Sequence, residues 1–195
     1  PLIVPGDPEP TAANILGATG LFRMGFALDS VMALADVALA VVLFLLFRQA
    51  QPVLATLAMV FRLVQAAILS GNLLLHHAAL SLLEGPAGMG EAAPAALFLI
   101  EMQGAGYDLG LIFFGVNSLL MGTLLLRSGT GPRALGAGLV AAGLVYLAGS
   151  YARFLAPALT PAIEPAYLVP LVAETAFALW LLTGGLRRAR MAGPV

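Results

Sequence analysis

Residues 24–47 read MGFALDSVMALADVALAVVLFLLF, an almost unbroken apolar run that contains only two acidic residues, Asp29 and Asp36. An α-helix needs about 20 mostly apolar residues to cross the hydrocarbon core of a bilayer. Strands of a membrane barrel instead alternate polar and apolar residues over segments of about 10 residues. Because this run is longer and continuous, the sequence predicts a membrane-spanning helix here.

The composition of the whole chain agrees with a membrane protein. Of its 195 residues, 61% are hydrophobic and only 10% are charged, whereas about 25% of the residues in a soluble domain are charged. All nine basic residues are Arg and the net charge is -1, so no basic patch suits nucleic acid. The absence of Cys excludes disulfides, thiolate metal sites and a cysteine nucleophile.

Similar apolar runs follow along the chain and predict its architecture. We expect an all-α, polytopic transmembrane helix bundle with five spans, at residues 24–47, 52–83, 107–126, 132–155 and 167–186. Residues 1–23 should form an outer loop in which 11–22 is either an interfacial helix or an extended first turn of the following span, and residues 187–195 a cytoplasmic tail. Residues 92–103 form either a second interfacial helix or an early extension of the third span. Pro157, Pro161 and Pro165 predict an irregular last outer loop.

Basic residues predict how the spans are oriented, because cytoplasmic loops carry an excess of Arg and Lys. The loop arginines fall on one side of the predicted bundle: Arg48, Arg127, Arg133, Arg187, Arg188 and Arg190. The other side carries acidic residues: Asp7, Glu9, Glu84, Glu91 and Glu164. We therefore expect a cytoplasmic C-terminus and an outside Pro1 end, in the inner (cytoplasmic) membrane of a bacterium. An outside N-terminal end predicts a further preceding helix, and six spans in the full-length protein.

Several segments together resemble a known family: LIVPGDPEPTAANIL, ALADVALAVVLFLLFR, MVFRLVQAAILSGNLL, GYDLGLIFFGVNSLLMGTLLLRSG, PRALGAGLVAAGLVYLAGS and LVAETAFALWLLTGG. In this order they are similar to the bacterial membrane proteins of domain-of-unknown-function family 4386. The resemblance implies a six-helix membrane protein and names no activity. Its pattern matches at these positions: Asp36, Arg62, Gln65, Asn72, Tyr107, Gly110, Arg133, Tyr146 and Glu174.

Ionisable residues lie deep within the predicted spans, where each is a candidate for function. Asp36 is 12 residues before Arg48, Arg62 is 10 after Pro52, and Glu174 is 13 before Arg187. At about 1.5 Å per residue, all three lie near the middle of a hydrocarbon core about 30 Å thick. Gln65 shares a helix face with Arg62. The sequence thus predicts a central polar cluster of Asp36, Arg62, Gln65 and Glu174, which either fixes helix register or serves as a relay or binding site.

A second polar cluster is predicted near the outer surface. Asp108 and Arg153 lie 22 and 23 residues from Thr130 in the connecting turn, so hairpin geometry places them at matching heights. The complete predicted outer cluster is Asp29, Asn72, Asp108, Tyr146, Ser150 and Arg153. It is either an interfacial ion pair with a cap or a ligand mouth that opens outward.

His76 and His77 raise the question of a haem or metal site. Adjacent residues on one helix point about 100° apart and cannot bind one iron together. The chain has no other His, and it lacks the Glu-x-x-His pairs of a di-iron bundle. We therefore predict no metal, haem or other cofactor, and interfacial positions for both histidines.

Small residues recur at a spacing of four, at Gly106 and Gly110 and again at Ala134, Gly138 and Ala142. Such ridges let helices approach closely in a membrane. We interpret them as packing surfaces.

No motif identifies an enzyme: Gly-x-Ser-x-Gly, His-Glu-x-x-His and a phosphate loop are all missing. We assign no catalytic residue. The first hypothesis is a non-enzymatic membrane module, either an accessory subunit or a small-molecule-binding protein with a polar core. The alternative is a proton-linked transporter or permease that uses Asp36, Arg62 and Glu174, and an intramembrane enzyme comes third. The expected partners are the bilayer and other membrane subunits or further copies of the chain.

Overall fold

The computed structural model describes residues 1–86 and 89–185, which are almost entirely helical and contain no strand. In chain order the helices are α1 (Pro8–Gly17), α2 (Thr19–Phe47), α3 (Pro52–Leu83), α4 (Met89–Ser128), α5 (Arg133–Leu155), α6 (Thr160–Ile163) and α7 (Leu168–Trp180). Five helical segments are long and apolar enough to cross a membrane: Thr19–Phe47, Pro52–Leu83, Gly90–Ser128, Arg133–Leu155 and Pro157–Gly184. The predicted all-α bundle with five spans is confirmed.

The start of the chain differs from the predicted boundaries. Helix α1 begins with Pro8, a favoured first helical residue, and it ends at Gly17. Ala18 leaves the helical conformation, with φ of -139° and ψ of 43°. Because the chain bends there, the prediction of a single interfacial helix over 11–22 is wrong. Residues 19–23 belong instead to the spanning helix α2.

Helix α4 runs without interruption from Met89 to Ser128. Residues 92–103 are therefore an early extension of the third span and not a separate interfacial helix. Gly104 and Gly106 do not interrupt the helix, because glycine permits a bend without requiring one. The third span thus begins well before the predicted Tyr107.

The segment between α5 and α7, predicted as an irregular outer loop, is a series of short helical turns. Turns of 3-10 helix at Pro157–Leu159 and Glu164–Tyr167 flank α6, and each of the three has Pro in its first or second position. Proline is tolerated at a helix start because its missing N–H has no partner to lose there. After α7, a π-helical turn at Leu181–Gly185 ends the described chain, with Gly184 at a φ of 118°. Leu186, the tail and its Arg187, Arg188 and Arg190 lie outside the described residues.

The structure divides into two compact units, and α2, α3 and α4 contribute residues to both. The first unit contains Pro1–Ala35 and Ala66–Tyr107, and its buried core joins Ile15 of α1 to Leu80 and Ala96. The second unit contains Asp36–Gln65 and the chain from Asp108 onward. Its buried core includes Leu43, Phe47, Leu124, Leu139 and Phe177. All four residues of the predicted central cluster belong to the second unit.

Candidate functional site

An ion pair between α2 and α3 forms the base of the site. Arg62 donates to Asp36 Oδ1 from Nη2 at 2.8 Å and from Nε at 3.1 Å. The two side chains are only 11% and 14% exposed. Bonds between a guanidinium and a carboxylate are short and strong because both groups are charged. Each buried charge is therefore compensated by the other.

Two amide side chains complete the bonding of this pair. Gln65, one helical turn after Arg62, donates from Nε2 to Asp36 Oδ2 at 3.2 Å. Asn117 of α4 accepts from Arg62 Nη1 through Oδ1 at 3.3 Å and donates from Nδ2 to the Ala58 carbonyl at 2.7 Å. All three guanidinium nitrogens of Arg62 thus donate a hydrogen bond. The side chain of Arg62 is thus bonded to residues of α2 and α4.

An aromatic ring covers the guanidinium. The Cζ atom of Arg62 lies 5.0 Å from the centroid of the Phe114 ring, close enough for a cation–π interaction. Phe114 precedes Asn117 by one turn of α4, so a single face of that helix provides both contacts. This contact further restricts the guanidinium to one position.

Glu174 of α7 lies beside the pair without joining it. Arg62 and Asp36 act on its carboxylate electrostatically, and the Tyr146 side chain forms a hydrogen bond with it. The Oε1 atom is buried and accepts no hydrogen bond from the described residues. Leaving a buried acceptor without a donor lowers the stability of the fold by about 1–3 kcal/mol, and by more when the group is charged. The Glu174 carboxylate therefore has one oxygen available for a donor.

Glu174 also lines a cavity of about 210 Å³. Its polar lining comes from Arg62, Asn117, Ser118 and Glu174, and its apolar lining includes Phe114, Leu139 and Phe177. A cavity of about 150 Å³ is large enough for benzene, so this one accommodates a molecule somewhat larger than a single ring. The site combines a small apolar chamber with one open hydrogen-bond acceptor.

The predicted outer cluster is divided between the two units. In the second unit, Arg153 Nε and Asp108 Oδ2 form an ion pair at 2.8 Å. Tyr146 contacts Glu174 of the central site, and its ring also packs edge-on against Tyr167 with centroids 5.9 Å apart. Ser150 is fully buried, and it lies beside the Tyr167 side chain.

The other two outer residues belong to the first unit. Asn72 donates from Nδ2 to the Gln103 carbonyl at 2.6 Å, which ties α3 to α4. Asp29 is half-buried. The structure gives Asp29 no hydrogen bond or ion pair with residues 1–86 or 89–185. In the second unit Asp108, Tyr146, Ser150 and Arg153 thus lie around Tyr167, and Asn72 and Asp29 belong to the first unit.

The two histidines have separate environments in the first unit. The His76 ring stacks on Phe22 with centroids 3.9 Å apart, and its Nε2 lies 2.9 Å from the Phe22 carbonyl oxygen. His77 Nε2 lies 3.5 Å from Ser81 Oγ. Within the part of the chain that the structure describes, no three His, Asp or Glu side chains are grouped to hold a metal ion.

Sequence reasoning missed Asn117, Ser118 and Phe114, which together form the α4 side of the site. The prediction was based on ionisable residues at matching depth, and none of these three side chains ionises. A signal was nevertheless present, because the three positions share one face of the helix. Two polar residues on one face of an apolar run should face the bundle interior, since lipid offers no hydrogen-bond partner.

Comparison with known proteins identifies relatives but no activity. A family model described as Domain of unknown function (DUF4386) matches residues 1–185. A protein of the archaeon Archaeoglobus fulgidus, described as "Uncharacterized protein", is 30% identical over 153 residues, which cover 77% of this chain and 76% of the relative. No solved structure matches the chain. Because this relative is archaeal, a bacterial source remains a prediction.

Proposed function

We propose a binding function for this chain, which belongs to the family Domain of unknown function (DUF4386). It is a non-enzymatic membrane module that holds a small molecule in the cavity beside Glu174. The observation that carries this proposal is the buried Glu174 Oε1, which lacks a donor among the described residues and belongs to a residue that lines a cavity of about 210 Å³. A bound hydrogen-bond donor would satisfy this atom.

The existing bonds define the chemistry of the ligand. A carboxylate ligand is disfavoured, because three of the five N–H groups of Arg62 already donate to Asp36 and Asn117 and because Asp36 compensates its charge. The carboxylate of Glu174 instead favours a ligand with an amine or hydroxyl donor. Phe114, Leu139 and Phe177 supply an apolar wall for the remainder of the molecule. The ligand class is therefore a small amine or alcohol with an apolar body.

The lining supports binding in preference to catalysis. Among the described residues around the cavity, Arg62 and Glu174 are the ionisable ones, and Arg stays protonated. A serine nucleophile needs a base within hydrogen-bond reach, and among the described residues no hydrogen bond joins the Ser118 hydroxyl of this lining to Glu174.

Three probes of similar size test the proposal: benzylamine, benzyl alcohol and benzoate. Titration calorimetry on the purified protein in detergent should show that the first two bind and that benzoate does not. Glu174→Leu should weaken benzylamine binding by about tenfold or more, the factor that corresponds to one lost charge-assisted hydrogen bond.

The matched control is Glu164→Leu, which makes the same change at an exposed position of the helical segment Pro157–Gly184 that also contains Glu174. It should bind benzylamine like the parent. Unfolding midpoints of both variants establish that they are folded. Equal effects of the two substitutions, or binding of benzoate as tight as that of benzylamine, would contradict the proposal.

A proton-linked carrier is the second candidate. It is favoured by the position of Glu174, a group that can take up a proton next to the fixed pair of Asp36 and Arg62. A carrier must open its cavity to each side of the membrane in turn. The chain has no Cys, so Ser118→Cys provides a single thiol in the cavity lining. Its alkylation from both sides of sealed vesicles would support a carrier, and alkylation from one side alone would support the binding module.

A further inference from the structure

A second cavity, of about 320 Å³, lies in the first unit. None of its lining residues belongs to the proposed binding site. The second cavity is lined by Arg23, Phe26, His76, His77, Leu80, Ser81 and Glu84. Both carboxylate oxygens of Glu84 accept from the same nitrogen of Arg23, Nη2, at 2.8 Å and 3.0 Å. The other guanidinium nitrogens, Nε and Nη1, donate to no residue that the structure describes. The cavity thus offers a cation and an anion side by side, each with free bonding capacity.

Helix length places this cavity at the level of the lipid headgroups. Helix α2 has 29 residues, or about 44 Å of length at 1.5 Å per residue, and the hydrocarbon core is only about 30 Å thick. The two ends of α2 therefore extend beyond the hydrocarbon. Arg23 is in the second turn of α2, and Glu84 directly follows α3. Their side chains are 63% and 39% exposed.

The remaining lining residues provide an apolar wall and a further polar edge. Phe26 and Leu80 present hydrocarbon surface. His76 is held by its stacking on Phe22 and its contact with the Phe22 carbonyl. His77 has a single long contact, with Ser81. An amphiphilic ligand would meet charge at one end and apolar surface at the other.

We propose that this cavity binds the headgroup of a phospholipid that carries both a phosphate and a primary ammonium group. The phosphate accepts from the open donors of Arg23, and the ammonium donates to Glu84. Arg suits phosphate because its planar fork presents several donors. The glycerol and upper acyl carbons lie against Phe26 and Leu80. A purely anionic lipid fits less well, because Glu84 would repel it.

Native mass spectrometry of the full chain with phosphatidylethanolamine, phosphatidylcholine and phosphatidylglycerol of identical acyl chains tests this assignment. Phosphatidylethanolamine should bind about tenfold more tightly than the other two, a factor typical of one charge-assisted hydrogen bond. Phosphatidylcholine has no N–H for Glu84, and phosphatidylglycerol has no cation. Equal binding of the three lipids, or preference for phosphatidylglycerol, would overturn the proposal.

Matched variants locate the site. Arg23→Gln and Glu84→Gln should each remove the preference for phosphatidylethanolamine, whereas Arg127→Gln and Glu9→Gln, at exposed positions outside the cavity, should keep it. If the controls lose the preference as well, the site lies elsewhere and the proposal is wrong.

Soluble glycerophosphoethanolamine should compete poorly, because it lacks the acyl chains. Competition as effective as that of the lipid would show that the ligand is a soluble phosphate ester.

Discussion

Asp36 and Arg62 compensate each other's charge in a part of the molecule that water hardly reaches. Asp36→Leu alone strands the guanidinium, and Arg62→Met alone strands the carboxylate. We expect each single substitution to lower the free energy of unfolding by about 3–5 kcal/mol, the usual effect of leaving one buried charge unpaired.

The double variant with both substitutions should lose much less, because no charge is left without a partner. Chemical unfolding in detergent, with the parent and the three variants measured together, gives the coupling between the two residues. Single variants as stable as the parent would mean that the two side chains do not interact in the folded protein.

The pair of Asp108 and Arg153 should respond unequally to the loss of either partner. Arg153 is 47% exposed and Asp108 only 14%. Asp108→Asn leaves an Arg that solvent can reach, and we expect a loss of about 0–1 kcal/mol. Arg153→Gln leaves a mostly buried carboxylate, and we expect a loss of about 1–3 kcal/mol. Thermal unfolding of both variants measures the difference, and equal losses would refute the asymmetry.

Residue positions in the site were predictable to different degrees. Depth along the spans placed Asp36 and Arg62 at the same level, and helical spacing added Gln65. Tyr146 was assigned to the outer cluster because it shares a helix face with Ser150 and Arg153, but its side chain also contacts Glu174. Side chains on a helix tilt toward its N-terminus, so the long Tyr side chain reaches residues well before its own position along α5. Residue spacing along the helix does not account for the length and direction of the side chain.

Helices α4 and α5 pack through glycines that face each other's backbone. A Cβ atom added at Gly122 would lie 2.5 Å from the Gly136 carbonyl oxygen, and one added at Gly143 would lie 2.6 Å from that of Gly115. Such contact leaves no room for a methyl group. Of the small residues that the sequence predicted to pack closely, Gly106 does so against α3, because an added Cβ would clash with the Asn72 side chain. The contact of α4 with α5 uses other glycines, because spacing cannot tell which face of a helix meets which neighbour.

Gly122→Ala and Gly143→Ala should each destabilise the protein by about 1–3 kcal/mol, because the helices must move apart. Gly71→Ala is the matched control within α3, since its added Cβ would meet nothing within 4 Å. It should stabilise by about 0.5–1 kcal/mol through the better helix propensity of Ala. Unfolding midpoints decide between the outcomes. Equal behaviour of the three variants would disprove close packing of α4 on α5.

The ends of the helices were less predictable than their existence. Apolar runs revealed all five spans, because exposing that much hydrocarbon surface to water is strongly unfavourable. The continuity of α4 through Gly104 and Gly106, and the break at Ala18, depend on packing around each segment. Ile15 and Ala96 belong to one buried core in the first unit, and contacts of this kind are long-range. Such long-range contacts cannot be predicted from local composition.

For the molecule as a whole, the loop arginines predict its orientation in the membrane. We expect Arg48 and Arg133 to face the cytoplasm and Glu84 the outside. Single cysteines at positions 84 and 133 can be labelled without interference, because the native chain has no Cys. A reagent that cannot cross the membrane should label position 84 from outside intact cells and position 133 only after lysis. Labelling of position 133 from outside would reverse the predicted orientation.

Binding of a small donor molecule beside Glu174 is tested most directly by an experimental structure of the protein with 4-bromobenzylamine. The bromine gives an anomalous signal that identifies the ligand independently of lipid or detergent. We predict one bromine peak inside the cavity lined by Phe114, Leu139 and Phe177, with the amine within hydrogen-bond distance of Glu174 Oε1. A cavity without bromine at a saturating ligand concentration, or an amine that contacts neither oxygen of Glu174, would contradict the proposed function.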